Sequence, residues 1–432
     1  MRREPGQILA LRAEVPEAYR AHPLLDPLLP SRQAATARFW LAAYRRLERS
    51  PESASQLLRS FASALGTAER PSSDPASYFE DSDRYCDDLL GLVPSPMKER
   101  LRVLSAVRGT SDLGELLRVA FEGPDPRTRY EAQRKLYLAK LLFDVDHCRS
   151  VLDGPRHHAL LGTLLQKSLW VEMEGGGEVE ICCRLVSQEA GRERLEVGVP
   201  PSGDARCWRF QLRRLPPRDG EPGIEVFHHK TRFKRDASDL VVERTVDGAL
   251  SLTEATRWPG LGKRSGSILS KMIRRGIGDP NMVQDLLGAM FIVADRRQVY
   301  ALERRLVRAL GGPFRCRDRV DTISREKDRE RLSAHSSASF QVLKQIVDVL
   351  VGDPAGSSPY LFPVEIQIYP LEAYLSTLHD AHFASHAAYK RRQLLNDLLP
   401  VLFPAQVYGE NAQAPSPPQR CCRGKAAARS DS

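Results

Sequence analysis

The sequence lacks any apolar run long enough to cross a bilayer, so it predicts no membrane span. Its first residues, "MRREPGQILALRAEVPEAYR", are basic but lack an apolar stretch followed by a small-residue cleavage site, so a signal peptide is not expected. The 8 cysteines contain no C-x-x-C pair and are scattered along the chain. This thiol usage is typical of a reducing cytoplasm, and we therefore expect a cytoplasmic protein.

The composition is that of a globular protein with an excess of positive charge. The chain of 432 residues is long enough for two or three domains, and 42% of its residues are hydrophobic and 28% charged. The net charge of +9 and the pI near 9.2 favour an anionic partner, such as a nucleotide, an RNA or an acidic lipid. They indicate nothing about the fold.

Residues 1–168 have the pattern of helices. Strand-like alternation is nearly absent, and apolar residues recur at helical spacing, as in Ala132, Leu136, Ala139 and Phe143. No motif is recognisable in this stretch. We therefore interpret it as a helical region of unknown role, either a platform or a module that binds a partner.

Residues 169–235 have the pattern of antiparallel strands joined by tight turns. Short alternating runs are broken by GGG, PPSG, PPRDG and EPG. The runs "WRFQLRR" and "KTRFKR" interleave aromatic and basic residues, a pattern that could bind a nucleic acid strand. Period-two alternation alone also produces such runs, so a half-exposed strand with a polar face is the other interpretation.

Residues 236–405 alternate between strand and helix patterns. Apolar runs such as "AMFIVA" and "YLFPVEIQIY" predict buried strands, Asp295 is a good N-cap for a helix, and "LEAYLSTLHDAHFASHAAYKRRQLLNDLL" predicts one long helix. The predicted fold class is α/β (α+β), a mixed sheet with flanking helices preceded by the helical region and the β-rich segment. Residues 406–432 are polar, basic and rich in Pro and Ala, which predicts a disordered tail.

A basic turn rich in Gly and Ser, "GLGKRSGSILSK", opens a short helix after residue 260. Lys263 lies in the turn, where backbone N–H groups and the helix dipole attract phosphate. Ser267 and Lys271 are one turn apart and share a helix face, while Ile268 and Met272 form the face that would pack on a sheet. These groups could bind the phosphates of a nucleotide, or they could belong to a cationic surface helix.

Two acids could serve phosphoryl or pyrophosphoryl transfer. That chemistry needs cations around the phosphates, a carboxylate that holds magnesium, and a group that orients or deprotonates the attacking hydroxyl. Asp285 precedes the apolar run "LLGAMFIVA", where an acid is often merely solvated, and Gly288 allows another segment to approach closely. Glu365 shares a strand face with Gln367, an arrangement that is costly unless the pair is bonded or functional. Asp285 and Glu365 together predict a Mg2+ site.

Three histidines are spaced at i, i+3 and i+7 in the predicted long helix, namely His379, His382 and His386. This spacing could ligate a transition metal. The alternative has less support, because no cysteine and no ligand from another element is placed beside them. Tyr389 and Lys390 continue the same predicted helix.

Four segments occur in the order, and roughly at the spacing, of the RelA/SpoT-like synthetase domain: "GLGKRSGSILSKM", "QDLLGAMFIVA", "VEIQIY" and "HAAYK". The chain resembles a divergent member of that family over about 240–395. The resemblance implies a nucleotidyltransferase-like fold and an enzyme that moves pyrophosphate from ATP to the 3′-hydroxyl of GDP or GTP, with Mg2+ as cofactor.

The resemblance also implies roles for individual residues. Asp285 looks like the magnesium ligand, and Glu365 looks like the residue that activates the acceptor hydroxyl, with Gln367 beside it. The other matching positions would bind substrate, and these are Lys263, Ser267, Lys271, Gln367, His386 and Lys390.

The chain also departs from the family pattern. Leu261 stands where an Arg usually lies two residues before the loop lysine, and Met290 and Tyr369 stand at two further Arg positions. The family's G-Y-x-S-x-H aligns with "SSASFQVL", where Ser337 replaces the Tyr that stacks on the acceptor guanine and Gln341 replaces the His. The triphosphate site has therefore lost cations, and the loss of the guanine-stacking Tyr leaves the acceptor open.

Three functions stay open on this basis. The chain could be an active magnesium-dependent pyrophosphokinase, a nucleotide-binding or regulatory module without turnover, or a transferase directed at the end of an RNA such as tRNA. The family often carries an N-terminal manganese hydrolase with a His-Asp dipeptide. No histidine within 1–235 is followed by Asp, so no such hydrolase is expected.

Overall fold

The computed structural model describes most of the chain after residue 75. The described ranges are 76–187, 193–201, 205–218, 220–234, 241–244, 250–253, 265–324, 340–352, 359–379 and 386–409. Lys263 and Ser337, which the sequence analysis singled out, and most of the predicted tail lie outside these ranges. No helix in the described part of the chain is both long enough and apolar enough to cross a membrane.

The first described segments are helical, as the sequence predicts. The six helices are α1 (Ala76–Leu90), α2 (Ser95–Leu101), α3 (Leu113–Glu122), α4 (Pro126–His147), α5 (Arg149–Leu152) and α6 (Gly154–Ser168). Two aspartates explain where helices begin, because Asp112 accepts a hydrogen bond from the backbone N–H of Glu115 and Asp125 accepts one from Thr128.

Ten described strands form one mixed sheet. They are β1 (Glu174–Ser187), β2 (Glu193–Val197), β3 (Arg206–Leu215), β4 (Ile224–Phe233), β5 (Val241–Arg244), β6 (Leu250–Thr253), β7 (Leu287–Val293), β8 (Cys316–Asp321), β9 (Leu343–Val351) and β10 (Tyr360–Pro370). The order is β2-β1-β3-β4-β7-β10-β9-β8, and the β5–β6 hairpin branches from β3. β7 and β10 run parallel and the other described pairs are antiparallel, so the predicted mixed sheet with flanking helices is confirmed.

The C-terminal half supplies six further helices. They are α7 (Gly266–Arg275), α8 (Arg296–Ala309), α9 (Leu371–Leu378), α10 (His386–Gln393), α11 (Leu399–Leu402) and α12 (Ala405–Tyr408), and a π-helical turn, Leu394–Leu398, joins α10 to α11. Asp295 caps α8 as predicted, accepting from the N–H groups of Arg297 and Gln298.

The prediction of one long helix after residue 370 is wrong. α9 ends at Leu378, and His379 has φ −76° and ψ 109°, an extended conformation that cannot continue a helix. Ser376 and Thr377 hydrogen-bond the backbone carbonyls of Glu372 and Tyr374 through their side chains. Such bonds favour helix ends, and the apolar periodicity of the segment did not reveal them.

The largest hydrophobic cluster joins the three stretches that differ in sequence texture. Buried residues of the N-terminal helices, of the central sheet and of the segment after residue 394 belong to one hydrophobic cluster. The hydroxyl of Tyr130 in α4 donates to the carbonyl of Val401 at 3.0 Å, and Gly154 at the start of α6 lies against the ring of Phe233 in β4. The domain division at 168, 235 and 405 therefore stays a prediction about autonomous folding, while the largest hydrophobic cluster of the described residues crosses all three boundaries.

The cysteine usage differs from the expectation of scattered thiols. Cys182 on β1 and Cys207 on β3 form a disulfide. The two residues lie directly opposite each other in the antiparallel register, although 25 positions separate them in the sequence. Only the strand pairing brings them together, so the spacing of cysteines along the chain did not predict the bond.

Candidate functional site

The candidate site begins with two cations at the end of β4. Residues two apart in a strand project from the same face, so Arg232 and Lys234 lie side by side. The backbone N–H of Lys234 donates to the carbonyl of Leu286 at 2.9 Å, which holds Lys234 next to the turn that precedes β7. The strand pairing between β4 and β7 thus brings this basic pair to the acid predicted for magnesium.

Asp285 lies in that turn and is buried. Its Oδ2 accepts a hydrogen bond from Lys234 Nζ at 2.6 Å and also pairs with Lys271 Nζ. Burial opposes ionisation of this carboxyl, but the charges and hydrogen bonds of Lys234 and Lys271 outweigh burial and hold the pKa of Asp285 well below its usual value. The acid is therefore ionised at neutral pH.

α7 supplies Lys271 from the opposite side of this turn. Ile268 and Met272 are fully buried, so the predicted packing face of the helix is correct. Lys271 is buried beside Asp285, whereas Ser267, one turn earlier on the helix, is exposed. Burial and the charge of Lys234 lower the pKa of Lys271 to about 7, because a single carboxylate must compensate two lysines.

Glu365 lies at the centre of the sheet, on β10. In the parallel register it stands opposite Gly288 of β7, and only 2% of its surface is exposed. Arg232 Nη2 donates to Glu365 Oε2 at 3.2 Å, and Lys344 from β9 pairs with Oε1. The two neighbouring strands therefore each direct a cation at this carboxylate.

Gly288 allows the contact between β4 and β10. A methyl group at this position would lie 3.2 Å from Arg232 Nε and 3.2 Å from the carbonyl oxygen of Glu365. Because glycine has no side chain, the guanidinium of Arg232 can cross β7 close to the backbone. The sequence predicted a close approach of another segment at Gly288, and Arg232 of β4 makes that approach.

Gln367 is also part of this arrangement. Its Nε2 donates to Glu365 Oε2, and its Oε1 accepts from the hydroxyl of Tyr369 at 3.2 Å. Each side chain of the pair is therefore hydrogen-bonded, which offsets part of the cost of burying two polar side chains side by side.

The two acids influence each other. Burial and the negative charge of Asp285 raise the pKa of Glu365, but the positive charges of Lys344 and Arg232 lower it by more. The resulting pKa lies below the usual value for a glutamate. The buried Oδ1 of Asp285 has no hydrogen-bond partner among the described residues. This oxygen fits a ligand for a hard cation such as Mg2+. Glu365 Oε1 also lacks a hydrogen-bond partner among these residues, but Lys344 Nζ forms an ion pair with it, so Asp285 Oδ1 fits the metal better.

Lys390 and His386 come from α10. Lys390 is half-buried, and burial together with the charges of Lys234 and Arg274 lowers its pKa to about 8. It therefore lies close to the same cluster of charges. His386 begins α10, but the structure does not describe its side chain, and the expected alignment of His379 with His386 on one helix is lost because α9 ends before His379.

Sequence reasoning missed three cations of the site: Arg232, Lys234 and Lys344. The signal for the first two was the run "KTRFKR", which contains an Arg two residues before a Lys. The resemblance places this R-x-K spacing in the loop of Lys263, about thirty residues further along the chain. The spacing is absent at Leu261 and Lys263 and present at Arg232 and Lys234. Lys344 carries no local signal, since only the pairing of β9 with β10 directs it towards Glu365.

Comparison with known proteins gives little further information. No protein-family model and no curated protein matches the chain. Among solved structures, it is similar to the small alarmone synthetase 1 from Bacillus subtilis bound to its product pppGpp, with 19% identity and a TM-score of 0.22. The likeness covers 34% of this chain and 65% of that one, so this chain spans less than two thirds of that structure. An overlap this partial carries no argument about function.

Proposed function

We propose that the chain is a divergent RelA/SpoT-like pyrophosphokinase, which transfers pyrophosphate from ATP to a nucleotide 3′-hydroxyl. The observation that carries the proposal is the convergence of Arg232, Lys234, Lys271 and Lys344 on the two buried carboxylates Asp285 and Glu365. The cations outnumber the acids and Lys390 adds another charge nearby, so the cluster attracts polyphosphate.

In this proposal Asp285 has two functions. Its Oδ1 would hold Mg2+, which neutralises phosphate charge when it is bound, while its Oδ2 keeps Lys234 and Lys271 in position. The two lysines share one carboxylate, so they retain the capacity to bind phosphate oxygens. Arg232 and Lys234 supply the R-x-K pair whose apparent loss had argued against a triphosphate site.

Glu365 would orient the acceptor hydroxyl. A carboxylate with a lowered pKa is ionised at neutral pH but is a weak base, so accepting a hydrogen bond suits it better than complete removal of a proton. Lys344 forms an ion pair with Oε1, so this cation would shift if the acceptor hydroxyl donates to that oxygen. A phosphate group of the substrate is the expected new partner of the displaced cation.

The acceptor stays open between GDP, GTP and another nucleotide, because Met290 and Tyr369 stand at two of the family's Arg positions. An RNA acceptor has less support. Trp208 and Phe210 of "WRFQLRR" are buried in the core, so neither ring is available for stacking on a base. Arg209 pairs with Glu180 at 3.1 Å on the other face of the strand. The run therefore has the character of a half-exposed strand with a polar face.

We also propose that the protein is cytoplasmic. The second candidate function is a nucleotide-binding module without turnover. The observation that favours it is the contact of Glu365 with three side chains, Arg232, Lys344 and Gln367. A binding module needs the cations and does not need an available carboxylate.

Transfer of label separates the two functions. Purified protein is incubated with Mg2+, ATP labelled at the γ-phosphate, and one acceptor at a time: GDP, GTP, ATP or tRNA. We expect label in a nucleotide acceptor, with loss of transfer in Asp285→Asn. Glu303→Gln is the matched control, since Glu303 pairs with Arg319 at 2.6 Å outside the site. Binding of ATP without transfer to any acceptor would favour the binding module.

A further inference from the structure

The Cys182–Cys207 pair lies apart from the carboxylate cluster and has no part in the proposed transfer. Both cysteines are buried and pack with Ala205 and Val199 in a small hydrophobic cluster. The backbone N–H of Gly198 donates to the carbonyl of Cys182 at 2.8 Å, so the chain that follows β2 folds back over the pair.

The pair stands at a branch point of the sheet. β3 pairs with β4 near Leu215, but its other end pairs with β5, where Cys207 lies opposite Arg244 and Trp208 opposite Glu243. These two residue pairs are the attachment between the β5–β6 hairpin and the described part of the sheet. The disulfide joins β1 to β3 at the same residue, Cys207.

The hairpin belongs to the connection between the two cationic elements of the candidate site. The connection leaves β4 at Lys234, which is bonded to Asp285, and returns at Ser265, whose hydroxyl donates to Asp146 at 2.6 Å. Both ends are therefore anchored, and among the described residues between them β5 is attached to the sheet by its pairing with β3.

We propose that Cys182 and Cys207 are a reversible redox modification site, whose co-reactant is a low-molecular-weight disulfide and whose oxidised form secures the β5–β6 hairpin on β3. A thiolate of one cysteine attacks a sulfur of the small disulfide, forms a mixed disulfide and releases one small thiolate. The thiolate of the second cysteine then attacks the protein sulfur, forms the Cys182–Cys207 bond and releases the second small thiolate. The protein loses two electrons and two protons, and the small disulfide is reduced to two thiols.

A metal site is the other chemistry that this geometry permits. Glu180 lies with the two cysteines such that their potential ligand atoms are within 4.8 Å of one another. Glu180, however, already accepts a hydrogen bond from Arg209 at 3.1 Å, and a structural zinc site uses four ligands. The direct opposition of the two cysteines favours the disulfide.

The test combines thiol mapping with amide hydrogen exchange on the full-length protein. After treatment with oxidised glutathione, peptides containing Cys182 and Cys207 should be linked, and reduction should increase their combined mass by two hydrogens. Reduction should also make the backbone amides of 241–244 and 250–253 exchange faster. Cys182→Ser should show the same loss in the oxidised buffer, and Cys316→Ser, which changes a cysteine on β8, should not.

Two results would overturn the proposal. One is that both cysteines are still thiols after treatment with oxidised glutathione, or that the purified protein contains stoichiometric zinc and its thiols react only after the zinc is chelated. The other is unchanged exchange in the hairpin between the oxidised and reduced forms of a protein in which the bond has been shown to open and close.

Discussion

Arg232 on β4 donates to Glu365 on β10 at 3.2 Å, although β7 lies between their two strands. The contact is possible because Gly288 of β7 presents no side chain at the crossing point. It joins a cation from the β-rich segment to an acid from the α/β segment. The candidate site is therefore built across the boundary that the sequence texture suggested at residue 235.

Substitution Gly288→Ala should weaken this contact. The added methyl group would lie 3.2 Å from both Arg232 Nε and the carbonyl oxygen of Glu365, so the guanidinium or the strand must move. We expect a loss of about 1–3 kcal/mol in the free energy of unfolding, together with weaker transfer. Urea denaturation measures the first effect, and the labelled-ATP assay measures the second.

Gly162→Ala is the matched control for this prediction. Gly162 lies in α6, and a methyl group there would contact nothing within 4 Å. Alanine is the better helix former, so we expect a gain of about 0.5–1 kcal/mol. If both substitutions shift stability in the same direction, the crossing of Arg232 over Gly288 is not what the glycine provides.

Local patterns predicted most of the candidate site's own elements. Asp285 was found from its place before the apolar run of β7, Glu365 and Gln367 from period-two spacing within β10, and the packing face of α7 from helical spacing. The three cations that complete the site could not be found in this way. Arg232 and Lys344 reach Glu365 only through the order β4-β7-β10-β9, which is a property of the tertiary fold.

The same limit explains the errors in the fold. Hydrophobic periodicity continues past residue 378, but side-chain hydrogen bonds of Ser376 and Thr377 compete with the helix. Cysteine spacing said nothing about Cys182 and Cys207, because the bond depends on the register of β1 against β3. Interactions between distant segments decide these features.

His229 gives an expected pH dependence of stability. It packs against Trp170, with ring centroids 4.1 Å apart, and burial together with the charges of Arg213 and His228 lowers its pKa from 6.5 to about 4. Below pH 6.5 the unfolded chain binds a proton that the folded chain refuses, so stability falls as pH drops from about 6.5 to about 4. The loss from this residue is about 3 kcal/mol over that interval.

The measurement for His229 is urea denaturation from pH 7 to pH 4 on the wild type and on His229→Phe. Phenylalanine keeps a ring against Trp170 and cannot titrate. We expect the stability difference between the two proteins to change in favour of the variant as pH falls. A difference that stays constant over this range would show that His229 does not titrate with a lowered pKa.

The fragment 236–405 should not fold by itself. It lacks β4, the neighbour of β7 in the centre of the sheet, and α4, whose Arg134 Nη1 donates to the carbonyl of Leu402 at 2.7 Å. Loss of these partners exposes the apolar faces that form the common core. Circular dichroism and urea denaturation of the fragment should show no cooperative transition, whereas the fragment 76–409 should show one; a cooperative transition in 236–405 would restore the boundary.

The two carboxylates should respond differently to amide substitution. Asp285, if it holds the metal and positions Lys234 and Lys271, is needed for nucleotide binding as well as for transfer, so Asp285→Asn should weaken ATP binding and abolish transfer. Glu365→Gln keeps the size of the side chain, and if Glu365 acts on the acceptor hydroxyl, ATP affinity should hold while the transfer rate falls roughly a hundredfold or more.

Melting temperature, ATP affinity and transfer rate measured on both variants distinguish this mechanism from a structural role. Glu365 is buried between Arg232 and Lys344, so a purely structural glutamate would lose stability on substitution, because its two cations would keep their charge without a counter-ion. If Glu365 acts on the acceptor hydroxyl, Lys344→Met combined with Glu365→Gln should restore the melting temperature without restoring transfer, whereas for a purely structural glutamate transfer should follow stability. Unchanged turnover in a stably folded Glu365→Gln protein would remove this residue from the mechanism and favour the binding module.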